Sequence, residues 1–346
     1  MNRFLLPFAA GFRAGLALRS AAYRHGIFRT YRLNRPVVSV GNLTVGGTGK
    51  TPLVMYIAEQ LVERGWTPCI LTRGYRRSIG GTVALAPGAQ RSIDPREVGD
   101  EPALMARALL KVPIMVSANR FRAGHMAEAR FAVDVHILDD GFQHWALARE
   151  VDIVTLDVMD DLATAALLPA GRLREPRSAL ARADIIILTR TELADPKGHL
   201  EFIARINPRA AVFQSSLVLH SLVDVQSVAS CSPDDFRNRR VMAFCGIGNP
   251  RAFFSNLRKW GMEVVREVAH RDHHSYGPGE LCRLGTRARK ANAEFLLTTE
   301  KDAVNFPLEW KSELPVIACA VRLQIQEAAA FEEAIIQRVR SVRVPA

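Results

Sequence analysis

The stretch Val37-Val-Ser-Val-Gly-Asn-Leu-Thr-Val-Gly-Gly-Thr-Gly-Lys-Thr-Pro52 decides the fold, because an apolar strand runs into a glycine-rich loop that ends in Gly49-Lys50-Thr51. Small glycines let backbone N–H groups curl around phosphate oxygens. Lys50 supplies a cation for the outer phosphates, and the Thr51 hydroxyl suits magnesium. A helix from Thr51 to about Glu63 follows, and its N-terminal dipole favours the same anion. The position that holds the first glycine of G-x-x-x-x-G-K-[ST] is Thr44 here, the single departure from that pattern. The loop Thr44, Val45, Gly46, Gly47, Thr48, Gly49, Lys50 and Thr51 therefore reads as a nucleotide triphosphate site.

Outward from the loop, short runs rich in Val and Ile alternate with helical patterns: Val37–Val40, Pro68–Leu71, Pro113–Val116, Val133–Leu138, Asp152–Leu156, Asp184–Leu188 and Ala211–Ser215. Continuous apolar runs without alternation fit parallel strands covered on both faces. The fold class expected is α/β, a P-loop-containing, doubly wound, mostly parallel sheet. A second, smaller α/β set follows the polar segment Ser230–Arg239, with strands at Arg240–Phe244, Glu263–Val268, Glu294–Leu297 and Pro315–Ala318. Helices are expected around Pro250–Trp260, Pro278–Ala291 and Gln326–Val339. At 346 residues the chain exceeds what one core usually supports. Three parts are drawn: 1–35 as a basic amphipathic helix at a membrane interface, 36–225 as the nucleotide-binding domain, and 226–346 as a C-terminal domain completing the cleft.

The net charge of +11 points less to nucleic acid than its size suggests. Seven arginines and no acid fall in the first 36 residues, leaving +4 for the other 310. A nucleic-acid binder carries basic stripes on its folded domains. On a helical wheel Phe4, Leu5, Phe8, Phe12 and Leu16 share a sector about 120° wide, with Arg3, Arg13 and Arg24 outside it and Arg19 intruding. Such a helix lies in an anionic membrane surface or packs on its own domain with arginines solvated. Arg13 interrupts the apolar run too early for a signal peptide, and no stretch approaches the ~20 apolar residues of a spanning helix. Five scattered cysteines, Cys69, Cys231, Cys245, Cys282 and Cys319, suggest neither a disulfide framework nor zinc and fit a reducing compartment.

A strand ending in two acids, His136-Ile-Leu-Asp139-Asp140-Gly-Phe-Gln-His144, places carboxylates at the ligand crevice of a parallel sheet. With Thr51 they offer the hard oxygens that Mg²⁺ takes. His144 reads as a turn residue, since ligation by it lacks a second nitrogen partner.

Four ordered blocks carry a more specific likeness: Val40-Gly-Asn-x-x-x-Gly-Gly-Thr-Gly-Lys-Thr-Pro52, Leu138-Asp-Asp-Gly-Phe-Gln-His144, Ala170-Gly-x-Leu-Arg-Glu-Pro176 and Thr299-Glu-Lys-Asp-Ala-Val304. Together they closely resemble the lipid A 4′-kinases, also called tetraacyldisaccharide 4′-kinases, over nearly the whole chain. The resemblance implies transfer of the γ-phosphate of ATP, with Mg²⁺, to the 4′-hydroxyl of a tetraacylated glucosamine disaccharide 1-phosphate at the cytoplasmic face of the inner membrane. It implies an anionic glycolipid and that membrane surface as partners, no nucleic acid, and no stable protein partner. Asp100, in Glu97-Val-Gly-Asp-Glu-Pro102, aligns with the acid of the family's proposed dyad, and His273, preferred over His274 in Arg271-Asp-His-His-Ser-Tyr276, with its base. Lys50 completes the catalytic set.

The same resemblance implies a phosphate or substrate contact for Arg120, with a surface arginine as the alternative. It places Arg174 on substrate and Glu175 near the metal, beside Thr51, Asp139 and Asp140, or near the nucleotide, against an exposed ion pair at the Pro176 turn. Tyr75 lines the substrate entrance or simply packs. Glu300-Lys-Asp302 closes the cleft or steadies a loop without taking part in chemistry. The competing class is a membrane-associated P-loop ATPase switch that phosphorylates no small molecule. A separate second domain bearing Asp-His-His speaks for an acceptor site instead.

Overall fold

The computed structural model describes residues 5–88, 93–307 and 309–341. Among the described residues thirteen strands run as β1 (Val37–Asn42), β2 (Pro68–Thr72), β3 (Val83–Leu85), β4 (Ile114–Val116), β5 (Val135–Asp139), β6 (Val151–Asp157), β7 (Ile185–Thr189), β8 (Ala211–Asp224), β9 (Ser230–Cys231), β10 (Arg240–Cys245), β11 (Glu263–Ala269), β12 (Phe295–Thr299) and β13 (Val316–Ile325). Helices are α1 (Leu6–Arg24), α2 (Lys50–Glu63), α3 (Pro95–Val98), α4 (Asp100–Ala108), α5 (Arg120–Arg130), α6 (Lys197–Ile206), α7 (Pro250–Lys259), α8 (Pro278–Lys290), α9 (Glu300–Ala303) and α10 (Ala328–Arg340).

One sheet carries everything, in the order β11-β10-β12-β13-β8-β7-β6-β1-β5-β2-β4-β3, with β9 paired to β8. Strands β1, β2, β5, β6 and β7 are buried at every position, as parallel strands covered on both faces must be. β1 is flanked in parallel by β5 and β6. Chain order reverses there, and a ligand crevice opens at the carboxyl ends of the strands. The phosphate loop, Asp139-Asp140 and Asp157 all leave the sheet at that point.

The two halves of the chain are joined by one long strand. β8 pairs in parallel with β7 over Ala211–Gln214, and its remainder pairs antiparallel with β13 from Ser215 to Asp224. The sequence predicts the parallel part and misses the ribbon, because Ser216–Asp224 and the end of β13 are half-buried and alternate rather than forming apolar runs. The division expected at 225/226 also changes at the C-terminus. Phe331, Ile335 and Val339 of α10 sit in the same core as Val38, Val40, Val54, Ile57 and Leu61, so the last helix returns to the first half. Tyr56 donates a 2.7 Å hydrogen bond to Glu332 and secures it there.

Helix α1 begins with Pro7 in its first turn, where the missing N–H costs nothing. Phe8 and Leu18 are 67% and 74% exposed, and Phe12 is also exposed, while Ala9 and Ala22 are buried. Phe4 lies outside the described residues. The helix hangs from its C-terminal end: Tyr23 meets Phe28 and Trp145 at 5.3 and 5.8 Å between ring centroids. Arg19, the intruder on the apolar sector, donates to the Gln143 carbonyl at 3.0 Å. No helix among the described residues is long and apolar enough to cross a membrane.

Candidate active site

The loop after β1 is held by hydrogen bonds from four directions. Asn42 Nδ2 donates to the Thr44 carbonyl at 2.7 Å and to Thr48 Oγ1 at 2.9 Å, and Thr48 Oγ1 meets Thr155 Oγ1 at 2.8 Å. Thr189 Oγ1 donates to the Thr48 carbonyl at 3.1 Å, Arg190 Nη2 to the Gly47 carbonyl at 2.8 Å, and Arg172 Nη2 to the Val45 carbonyl at 2.7 Å. The Val45 N–H is held by the Arg172 carbonyl at 2.8 Å, and with the Thr44, Val45, Gly47 and Thr48 carbonyls tied back the N–H groups from Gly46 onward are the ones offered to a ligand. Gly49 caps α2 at φ +82°, a left-handed conformation that glycine adopts without strain. Thr44 to Thr51 all line a cavity of about 1050 Å³.

Lys50 Nζ stands 3.6 Å from Asp140 Oδ1, and Arg174 grips both Asp140 oxygens at 2.6 and 3.0 Å. Burial alone would raise the Asp140 pKa, but Lys50, Arg174 and Arg120 outweigh it and hold this carboxyl well below the ordinary range. Asp139 differs. It is buried, accepts a 2.8 Å bond from Thr72, and is pushed up to about 7 by burial and by Glu101 and Asp140. A carboxylate forced toward neutrality beside a second acid and the Thr51 hydroxyl is a set of hard oxygens suited to a small divalent cation. The residues present therefore fit Mg²⁺.

In the same cavity, His273 Nδ1 lies 2.7 Å from Asp100 Oδ2 and 3.0 Å from Oδ1. A carboxylate there requires the ring proton on Nδ1 and leaves Nε2 as the basic nitrogen. Burial pushes Asp100 up; the His273 hydrogen bond, Lys301 and Asn305 overcome that and hold it low. Tyr75, 53% exposed, sets its ring 5.1 Å from that of His273. Arg76 Nη1 donates to the His273 carbonyl at 3.1 Å. His274 turns away, bonding Glu280 at 3.0 Å and stacking on His270 at 4.3 Å between centroids.

Seven non-glycine residues among the described ones have φ between 52° and 62°: Arg76, Asp140, Arg190 and His273 line this cavity, and Val228, Asn238 and Asn292 lie elsewhere. Non-glycine residues held there cost about 1 kcal/mol or more each and concentrate where function needs the geometry. The halves also meet closely: a Cβ on Gly248, after β10, would fall 2.3 Å from the Gly47 nitrogen.

Lys50, Thr51, Asp139, Asp140, Arg174, Tyr75 and His273 line one cavity, with Asp100 just behind His273. Glu175, expected near the metal, is elsewhere: both its oxygens are taken by Arg182 at 2.7 and 2.8 Å. Arg182, itself half-buried, lies over the Phe142 ring at 3.6 Å and donates to the Phe142 carbonyl at 2.8 Å, so the pair braces the turn after Asp140. Arg120, expected on substrate, is 6% exposed, does not line the cavity, and donates to its own Ala118 carbonyl at 3.1 Å. It acts from beneath, through its charge on Asp139 and Asp140. Sequence reasoning missed Asp157 and Arg190, a buried ion pair at the loop, and Asn249, which donates to Asp157 at 3.0 Å while capping α7. The available signal was a charged residue directly after an apolar strand, in Leu156-Asp157 and Leu188-Thr189-Arg190.

Fold and site define a P-loop nucleotide-binding protein of the phosphotransferase kind, with a carboxylate-held imidazole lining the same cavity as the phosphate loop. A family model described as tetraacyldisaccharide-1-P 4′-kinase matches residues 1–340, and the chain belongs to that family. It is 38% identical to the tetraacyldisaccharide 4′-kinase of Geobacter metallireducens, covering 95% of both chains, and 36% identical to that of Pelobacter propionicus, covering 96% of this chain and 91% of the relative. It is also similar to a crystal structure of LpxK from Aquifex aeolicus in complex with ATP, with a TM-score of 0.75 at 30% identity, covering 97% of this chain and 98% of the other.

Proposed function

We propose that this chain transfers the γ-phosphate of ATP to the 4′-hydroxyl of tetraacyldisaccharide 1-phosphate, giving lipid IVA in lipid A biosynthesis, with His273 as general base. The observation that carries the residue assignment is the 2.7 Å contact between His273 Nδ1 and Asp100, across the cavity from the phosphate loop. Loop N–H groups and Lys50 hold the β- and γ-phosphates in line with the acceptor. The 4′-hydroxyl oxygen bonds to the γ-phosphorus as the bond to the β–γ bridging oxygen breaks. His273 Nε2 takes the hydroxyl proton, and Asp100 stabilises the imidazolium. Thr51, Asp139 and Asp140 would hold Mg²⁺, which would neutralise charge on the phosphates. Arg174 orients phosphate, and Tyr75 walls the acceptor entrance beside His273.

The exposed Phe8, Phe12 and Leu18 with neighbouring arginines support a peripheral seat for α1 on the anionic cytoplasmic face of the inner membrane. Deleting residues 1–25 is expected to abolish association with anionic vesicles; association that survives removes this assignment. The reaction is tested with γ-labelled ATP, Mg²⁺ and tetraacyldisaccharide 1-phosphate in detergent micelles. Label is expected in the lipid with the parent and not with Lys50→Ala. Lysine-dependent ATP hydrolysis without labelled lipid favours the ATPase switch.

A further inference from the structure

Two carboxylates flank one imidazole at the junction of the two halves, and a third joins them through a lysine. Asp100 and Glu101 open α4, and Asp272, preceding His273, sets its Oδ2 3.7 Å from His273 Nε2. Opposing them is Lys301, whose Nζ lies 3.2 Å from Glu101 Oε1 and 3.4 Å from Asp272 Oδ1, with its side chain 18% exposed. Glu101 belongs to the first half; Lys301 and Asp272 belong to the second. The cation is therefore a bridge across the cleft that assembles the dyad.

Its placement is built by the sequence Thr299-Glu-Lys-Asp302. Thr299 caps the short helix α9 by accepting from the Asp302 N–H at 3.1 Å. Asp302, buried, accepts from the Gly246 N–H at 2.7 Å and from Tyr276 Oη at 2.9 Å, which ties the turn to the loop that carries His273. Asn305, one helical turn beyond Lys301, donates to Asp100 at 3.5 Å and to the Lys301 carbonyl at 3.4 Å. Burial would lower the Lys301 pKa, but Glu101, Asp100 and Asp272 overcome it and keep the amine charged.

We infer that Lys301 is a positioning residue for phosphoryl transfer: it holds Glu101 and Asp272 together across the cleft and keeps Asp100 against His273. This rests on the kinase reading. A cation removed from beside a base leaves its protonated form favoured, and a carboxylate removed does the reverse. The charged and titratable groups facing His273 are Asp100 from α4, Tyr75 and Arg76 from the segment after β2, and Asp272 from its own loop; Lys301 from α9 and Glu101 from α4 stand one contact further out, through Asp272 and the charge on Asp100.

The test is the pH profile of kcat for transfer to the lipid acceptor, with KM for ATP measured in parallel. Lys301→Met is expected to lower kcat about tenfold with KM for ATP unchanged, and to move the acid limb up by about one pH unit. Lys301→Arg returns the limb toward the parent position, and Glu101→Gln moves it the opposite way, to lower pH. A merely structural lysine would reduce activity without displacing the limb. Limbs that stay put in both Lys301→Met and Glu101→Gln overturn the inference, as does a loss confined to KM for ATP. Should Lys301→Met fail to fold, Glu101→Gln decides alone by whether its limb moves. A parent that transfers no label removes the kinase reading and this inference with it; a parent that transfers while the limbs stay put removes this inference alone.

Discussion

The two sides of the cavity are built in different ways. The phosphate side is local: eight consecutive residues, a strand before and a helix after, pinned by neighbours from adjoining strands β6 and β7. The acceptor side is assembled from afar. Asp100 and His273 are separated by 173 positions, and Lys301 reaches Glu101 across 200. The first side can exist whenever the parallel sheet folds, whereas the second exists only when both halves close on each other. Nucleotide grip and proton transfer are thus separable properties of one cavity.

The largest effects should expose that separation. Lys50→Ala is expected to lose both ATP affinity and transfer, whereas His273→Ala should keep ATP affinity within about twofold while kcat falls about 10²- to 10³-fold. Equilibrium nucleotide binding beside single-turnover transfer makes the comparison, and a His273→Ala protein that no longer binds ATP would erase the distinction. Next in size is Glu175→Ala, which leaves the half-buried Arg182 guanidinium without its carboxylate. Unfolding free energy should drop by about 1–2 kcal/mol, with little change in the Mg²⁺ concentration for half-maximal transfer. Denaturant unfolding and a Mg²⁺ titration read the two quantities, and a changed Mg²⁺ requirement at unchanged stability would return Glu175 to the metal.

The smallest expected effect concerns Asp139. Its pKa is raised from 3.8 to about 7, so the folded chain holds this proton more tightly than the unfolded chain. The associated stability is present below the lower value and is lost as pH rises toward the upper one. In chelator, Tm should therefore decline between about pH 4 and pH 7. Asp139→Asn should flatten that decline, and added Mg²⁺ should raise Tm most at the upper end, where the carboxylate is free to bind it. A slope unchanged in Asp139→Asn would assign the proton to another group.

How legible each side was in the sequence follows from the same contrast. The loop, Asp139-Asp140 and the parallel strands announce themselves because their chemistry and burial are contiguous along the chain. The antiparallel ribbon of β8 and β13 was missed because its residues alternate and are half-exposed, which resembles an ordinary surface segment. Asp100 and His273 were reached through likeness of motifs, since no spacing rule joins residues so far apart. Glu175 and Arg120 share motifs with site residues, yet their side chains point into the supporting layer, a direction that residue type alone does not fix. Lys301 sat in a motif with no visible partner, because Glu101 lies in the other half.

The central claim is that Asp100 and His273 work as one unit formed by closure of the two halves. The most direct measurement is a double-mutant cycle on kcat for lipid phosphorylation with Asp100→Asn, His273→Ala and the combined variant, at saturating ATP and acceptor. Residues that act together lose their effect only once, so the combined variant should be no slower than the worse single variant, within about threefold. Losses that multiply would show two independent contributions and contradict the account.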